Sequence, residues 1–252
     1  MPNLATHIHF AMKSLPESID QELTPIYLLG ATTPDIRVIT KENRSIYHFV
    51  DLDFKSVGEG IANMTQQFPE IHMLKNNDEI IKTFLTGYIT HLVLDETWIT
   101  TVFRKHFSGP NAFPESTPIL IIDRAIQMYM DSKYWNSIES KISPIEQCNI
   151  EKVSLPFLSN DSINEWREWI CNFLNLGFTW DRLNFMAKRI SNGNIEDPAI
   201  PYTEQFLIDP IKNINNVFNF LPKNLLEEFE ENSKQNIDNA IYGFLNEYHY
   251  WI

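Results

Sequence analysis

Residues 87–98 read Gly87-Tyr88-Ile89-Thr90-His91-Leu92-Val93-Leu94-Asp95-Glu96-Thr97-Trp98, with a histidine and a carboxylate four residues apart in an apolar run. Side chains at i and i+4 lie on one face of an α-helix, so His91 and Asp95 can reach the same point. Imidazole and carboxylate are a common ligand pair for zinc-like ions. The stretch therefore predicts a buried helix that carries part of a metal site. A hydrogen-bonded His–Asp pair in the core is the alternative.

Helical periodicity extends outward from this stretch over residues 78–107 and recurs along the chain. Eight glycines in 252 residues disfavour a turn-rich β architecture, and strand-like alternation is nearly absent. We expect an all-α, single-domain multi-helix bundle over residues 1–252, with the metal-site motifs in 1–107 and the helices of 118–252 completing the fold. Further helices are predicted at 6–14, with Thr6 as N-cap, and at 118–134, 162–176, 180–191, 211–220 and 224–251. Loops are predicted at 110–118, 144–156 and 192–201.

Composition limits the classes of function. A formal net charge of −13 argues against binding to duplex nucleic acid, which needs a basic surface. No apolar run is long enough for a transmembrane segment, and the N-terminus has no signal-peptide pattern. Cys148 and Cys171 are too few for a disulfide framework in a chain of this length. We therefore expect a cytoplasmic protein, while the sequence leaves the oligomeric state open.

Other ligand candidates lie upstream of the HxxxD motif. Asp35 follows a proline in a segment rich in turn formers, where a loop can present its carboxylate. His48 stands in an apolar setting between two aromatic residues. His7 and His9 point to opposite sides of a helix, so only one can face a given site, and His7 is favoured. Each is compatible with a structural role by itself, but together with the HxxxD motif they favour a buried metal site.

The order of these motifs resembles a known family. Thr6-His7 after Met1-Pro2-Asn3, the loop from Gly30-Ala31-Thr32-Thr33-Pro34-Asp35, His48 and the HxxxD helix together look like the bacterial zinc-dependent phospholipase C family. That family is related in fold to the zinc-dependent single-strand nucleases. The resemblance covers roughly the first 110 residues and implies a mostly helical domain that holds up to three zinc ions.

The resemblance implies a ligand set. One ion would be held by the N-terminal amine and carbonyl, His7 and Asp95. A second would be held by Asp35, His48, His91 and Asp95, which makes Asp95 a bridging ligand. One or two zinc ions are expected, with iron or manganese as alternatives.

Two parts of the family pattern need separate treatment. The third zinc of the family uses a histidine shortly after the HxxxD aspartate and a later histidine followed by an acid four residues on. This chain has no histidine at positions 99–105 and no HxxxE or HxxxD pair after Asp95. Glu96, Asp123 and His106 are the candidate substitutes, although His106 lies about 16 Å along a helix axis from Asp95. Removal of Met1 would free the amine of Pro2 as a ligand, which is a further expectation from the resemblance.

The resemblance implies hydrolysis of a phosphoester, such as a phospholipid head group or a nucleotide, by a zinc-activated water. Asp35 would be the catalytic residue, as general base or orienter of the attacking water. Two alternatives stay open. The first is a cytoplasmic biosynthetic enzyme that uses the metal as a Lewis acid or redox centre. The second is a helical interaction protein with a structural metal or none.

Overall fold

The structure, a computed structural model, describes residues 2–109 and 112–246. In these two ranges the chain forms helices and no β-strand, only an isolated bridge between Leu155 and Leu158, so the all-α prediction is confirmed. The α-helices are α1 (Leu4–Lys13), α2 (Thr24–Gly30), α3 (Arg37–Thr40), α4 (Arg44–His48), α5 (Glu59–Gln67), α6 (Glu70–Asn77), α7 (Glu79–Thr97), α8 (Arg104–His106), α9 (Ile119–Gln147), α10 (Asn160–Asn175), α11 (Arg182–Ile190), α12 (Ala199–Ile208), α13 (Pro210–Phe218) and α14 (Leu225–Asn246). Short 3₁₀ turns lie at Gln21–Leu23 and Thr33–Ile36.

Helix α7 is the centre of the fold. Asp78 caps its N-terminus by accepting hydrogen bonds from the N–H groups of Ile80 and Ile81. The helix is buried on all sides from Thr83 to Thr97, because α1, α2, α6 and α14 pack around it. A π-helical turn at Trp98–Phe103 follows directly and leads into α8. The predicted helix over 78–107 is thus present, with a wider turn inserted near its end.

Two glycines bring α2 and α7 into backbone contact. A Cβ atom at Gly87 would lie 1.9 Å from the carbonyl oxygen of Tyr27, and one at Gly30 would lie 2.1 Å from that of Phe84. Only glycine permits this approach. It places the carbonyl of Ala31, just beyond the end of α2, next to His91 on the following turn of α7.

The other helices complete a core that includes residues from Leu4 in α1 to Phe244 in α14. Helix α9 lies between the N-terminal and C-terminal parts, packing against α1 and α2 on one side and α10, α11 and α13 on the other. No helix in the described ranges is both long enough and apolar enough to cross a lipid bilayer.

Several predicted boundaries are wrong. Helix α1 begins at Leu4, so Thr6 is not its N-cap; instead its N–H and hydroxyl both donate to Asp131. Helix α9 continues to Gln147 through Pro144, because the buried apolar residues on both sides of the proline stabilise the helix there. The predicted loop over 192–201 overlaps the start of α12, and residues 247–251 of the last predicted helix lie outside the described residues.

Candidate metal centre

The structure brings the five predicted ligand residues together from four elements. His7 lies on α1, Asp35 on the 3₁₀ turn Thr33–Ile36, His48 on α4, and His91 and Asp95 on α7. They form two groups whose potential ligand atoms lie within 4.8 Å of one another: His7, Asp35 and His91 in one, and His48, His91 and Asp95 in the other. The two groups share His91, so this residue lies at the middle of the cluster.

The hydrogen bond at the far side of the ring sets the orientation of His91. Its Nδ1 lies 2.9 Å from the carbonyl oxygen of Ala31, which can only accept, so Nδ1 carries the proton and donates. The Nε2 lone pair then points into the cluster, 3.3 Å from Nε2 of His48 and 3.7 Å from Oδ2 of Asp95. A backbone carbonyl that fixes the tautomer in this way is the usual support of a metal-bound histidine.

His7 lacks the hydrogen bonds that a buried imidazole normally makes. Its ring stacks on His91 with centroids 3.6 Å apart and planes at 4°. Its Nε2 lies 3.4 Å from Oδ1 of Asp95, but neither atom forms a hydrogen bond, and Nδ1 of His7 has no partner either. Unsatisfied buried polar atoms are costly. A cation between the imidazole and the carboxylate would satisfy both atoms, so the donor set fits a metal ion.

Asp95 has a further neighbour, Arg44, that is not among the predicted site residues. Both terminal nitrogens of Arg44 lie 3.1 Å from Oδ2 of Asp95, on the same oxygen that faces Nε2 of His48 at 3.1 Å. The guanidinium stabilises the buried carboxylate and fixes its orientation. The available sequence signal was the spacing of Arg44 and His48, four residues apart on α4, which places them on one helix face.

The electrostatic environment favours the neutral forms of His7 and His48 and the ionised form of Asp95. Burial, followed by the charge of Arg44, lowers the pKa of His48 to about 4, and burial with the neighbouring His91 lowers the pKa of His7. Burial would raise the pKa of Asp95, but its imidazole neighbours and the guanidinium of Arg44 outweigh it and hold that pKa well below its usual range. Neutral imidazoles and an ionised carboxylate are the protonation states that metal binding requires.

The candidate substitutes for a third metal site lie outside both groups. Glu96 accepts hydrogen bonds from the N–H groups of Gly58 and Gly60 at the start of α5, at 2.5 and 2.8 Å. Asp123 accepts from the indole N–H of Trp98 at 2.9 Å and from the side-chain amide of Gln127. These carboxylates therefore have structural partners. His106 lies on α8, beyond the π-helical turn.

A cavity of about 420 Å³ adjoins the cluster at Asp35, which is only half-buried. Pro2 is buried and lines the same cavity. Met1 lies outside the described residues, so an amine ligand from Pro2 stays a prediction. The cluster thus has a closed side formed by α4 and α7 and an accessible side at Asp35.

Comparison with protein-family models, with curated proteins and with solved structures gave no match. Membership of the zinc-dependent phospholipase C family therefore stays a prediction from the motifs, as does that particular type of helical fold. The case for a metal centre accordingly rests on the geometry of the cluster itself.

Proposed function

We propose that the protein is a metal-dependent phosphoester hydrolase that holds one or two zinc-like ions through His7, Asp35, His48, His91 and Asp95. The observation that carries the proposal is the convergence of three buried imidazoles and two carboxylates in two groups that share His91, with unsatisfied atoms at His7 and Asp95. A purely structural network would be expected to pair such atoms within the protein.

The residues divide into an inner and an outer set. His48, His91 and Asp95 are buried and form the inner set, while Asp35, which groups with His7 and His91, lines the cavity and forms the outer part. A bound zinc-like ion supplies two effects, a lower pKa of coordinated water and polarisation of a phosphoryl oxygen.

The remaining chemistry is carried by the protein's own groups. Asp35 presents a half-buried carboxylate to the cavity, where it would accept the proton of the attacking water. Arg44 holds Asp95 in place from the closed side of the cluster. Ala31 holds the His91 ring, and the cavity beside Asp35 receives the rest of the substrate.

Metal analysis of the purified protein tests the first half of the proposal. His91→Ala and Asp95→Ala should each remove most of the bound metal, because each deletes a ligand atom at the centre of the cluster. His9→Ala is the matched control, since Nδ1 of His9 lies 3.2 Å from the Ser137 hydroxyl, outside the cluster. Elemental analysis by mass spectrometry gives the occupancy. Full metal retention in both cluster variants would contradict the proposal.

Turnover of bis(4-nitrophenyl) phosphate and of 4-nitrophenyl phosphate tests the second half. The metal-loaded protein should hydrolyse at least one of them, a chelator should abolish the reaction, and added zinc should restore it. Asp35→Asn keeps an oxygen ligand but loses the base, so we expect retained metal and a rate lower by roughly 100- to 10,000-fold. A metal-loaded protein without turnover of either ester would overturn the assignment.

A further inference from the structure

The cavity beside Asp35 is built from several elements. It lies between the first residues of the chain, α3, and the helices α9, α10 and α11. Its lining residues on these three long helices recur at intervals of three and four, so one face of each helix borders it. Its volume of about 420 Å³ falls in the range of small-molecule sites, roughly 300–1,000 Å³. Because Asp35 also belongs to the candidate metal centre, the cavity and the cluster share a wall.

This cavity concentrates positive charge in a chain whose formal net charge is −13. Its lining includes four arginines: Arg37, Arg124, Arg182 and Arg189. Two carboxylates, Asp35 and Asp131, also line it, so four guanidinium groups face two carboxyl groups and positive charge is in excess. In the described part of the chain, no carboxylate lies at salt-bridge distance from Arg37, Arg182 or Arg189.

The guanidinium of Arg37 is only partly satisfied by hydrogen bonds. Its Nε is buried without a hydrogen-bond partner in the described structure. Arg37 and Arg189 line the same cavity. An anion bound there would form charge-assisted hydrogen bonds with guanidinium groups of this kind.

Arg182 is held in a fixed orientation. It donates hydrogen bonds to the carbonyl oxygens of Phe173 and Gly177, and its guanidinium carbon lies 3.9 Å from the ring centroid of Phe173. These contacts orient the group but do not neutralise its charge. It therefore adds to the positive potential of the cavity.

Helix α10 contributes a flat aromatic surface to the same cavity, in contrast to the charged arginines. Trp166, Trp169 and Phe173 form a stack with successive centroids 5.2 Å apart and planes at 12°. Trp166 is fully buried and its indole N–H donates to the hydroxyl of Thr32, whereas Trp169 and Phe173 are partly exposed. A ligand of this cavity thus meets both arginine and aromatic side chains.

We infer that the cavity binds a second anionic group of the substrate, carried on an aromatic or apolar body, while the scissile phosphoester lies at the metal cluster. The position of the phosphoester rests on the proposed hydrolase function, but anion binding in the cavity does not. The inference selects phosphoesters that carry a further phosphate or carboxylate. It disfavours zwitterionic esters such as phosphorylcholine, whose quaternary ammonium would face the arginines.

Direct binding tests the cavity without any catalytic step. The probe is 1-naphthalenesulfonate, an aromatic anion with no ester to hydrolyse, titrated into the full-length protein by calorimetry. Arg37→Gln with Arg189→Gln should weaken its binding about tenfold or more, since charge-assisted hydrogen bonds are lost. Arg189→Gln alone should also weaken binding, and Lys188→Gln is its matched control, because it removes one charge from the same helix at an exposed residue that does not line the cavity. Equal affinity of the double variant and the native protein would overturn the inference.

Inhibition and sedimentation define the ligand class further. With bis(4-nitrophenyl) phosphate as substrate, 2,3-bisphosphoglycerate should inhibit more strongly than phosphorylcholine, and the double variant should lose that difference. The reverse order of inhibition would overturn the inference.

Arginine-dependent sedimentation with phosphatidylglycerol vesicles would identify an anionic lipid as the source of the ligand, and probe binding without sedimentation would identify a soluble ester. Arginine-dependent probe binding without any hydrolysis would contradict the proposed function and leave the anion site intact.

Discussion

Replacement of Gly87 by alanine should destabilise the protein, although alanine is the better helix former by about 1 kcal/mol. The added Cβ would lie 1.9 Å from the Tyr27 carbonyl oxygen and 3.1 Å from the backbone nitrogen of Ala31. An ordinary contact begins at 3.4 Å, so α2 would have to move by about 1.5 Å. Overpacking of this kind costs about 1–3 kcal/mol, more when backbone must move, and the helix-propensity gain offsets only part of it.

Denaturation by urea measures the effect. We expect the free energy of unfolding of Gly87→Ala to fall by about 2 kcal/mol, with a melting temperature lower by roughly 4–8 °C. Gly30→Ala disturbs the same crossing, so the double variant should lose less than the sum of the two single losses. Bound metal should fall as well, because displacement of α2 moves the Ala31 carbonyl away from His91. An unchanged or higher unfolding midpoint for Gly87→Ala would refute the backbone contact between α2 and α7.

Three further outcomes are expected. Chelation should lower the melting temperature of the native protein, since a ligand present at 100 times its Kd stabilises by about 2.7 kcal/mol; an identical melting curve would argue against a bound ion. Thr6→Val removes a hydroxyl that donates to the buried Asp131 and should cost about 1–3 kcal/mol in urea denaturation, whereas no loss would show that this bond contributes nothing. Burial would raise the pKa of Glu230, but hydrogen bonds from Lys133 and two neighbouring side chains outweigh it and lower that pKa to about 2. The stabilisation by ionised Glu230 is therefore present above about pH 4.5 and is lost as the pH falls towards 2. The stability difference between the native protein and Glu230→Gln should shrink between pH 5 and pH 3, and a constant difference would contradict this assignment.

The local pattern of the sequence determined the helical class and the part of the candidate site formed by His91, Asp95 and His7. The i, i+4 spacing of His91 and Asp95 places both on one face of α7, whatever packs around it. The same geometry separated His7 from His9: the former lies in the cluster, and the latter stacks on Tyr134. Helix periodicity follows from backbone geometry alone, which is why these expectations needed no tertiary information.

The helix boundaries and the hydrogen-bond partners of individual side chains depended on contacts between residues far apart in the chain. Thr6 resembles an N-cap by residue type, but its partner Asp131 is 125 positions away. Glu96, a ligand candidate by position, caps α5 because Gly58 and Gly60 approach it in the fold. Such pairings depend on how the helices pack, so they cannot be predicted from the sequence near each residue.

Only the tertiary structure decided which side of the cluster is closed and which is accessible. The guanidinium of Arg44 meets Asp95 from α4, and the glycine crossing of α2 with α7 aligns the His91 ring. The arginines of the cavity come from α3, α9 and α11, so their convergence beside Asp35 is visible only after folding. Helix-forming patterns are local properties of the chain, so the helices could be predicted from the residues. The charge and shape of a cavity depend on segments that are distant in the chain, so they could be described only from the positions of those segments in space.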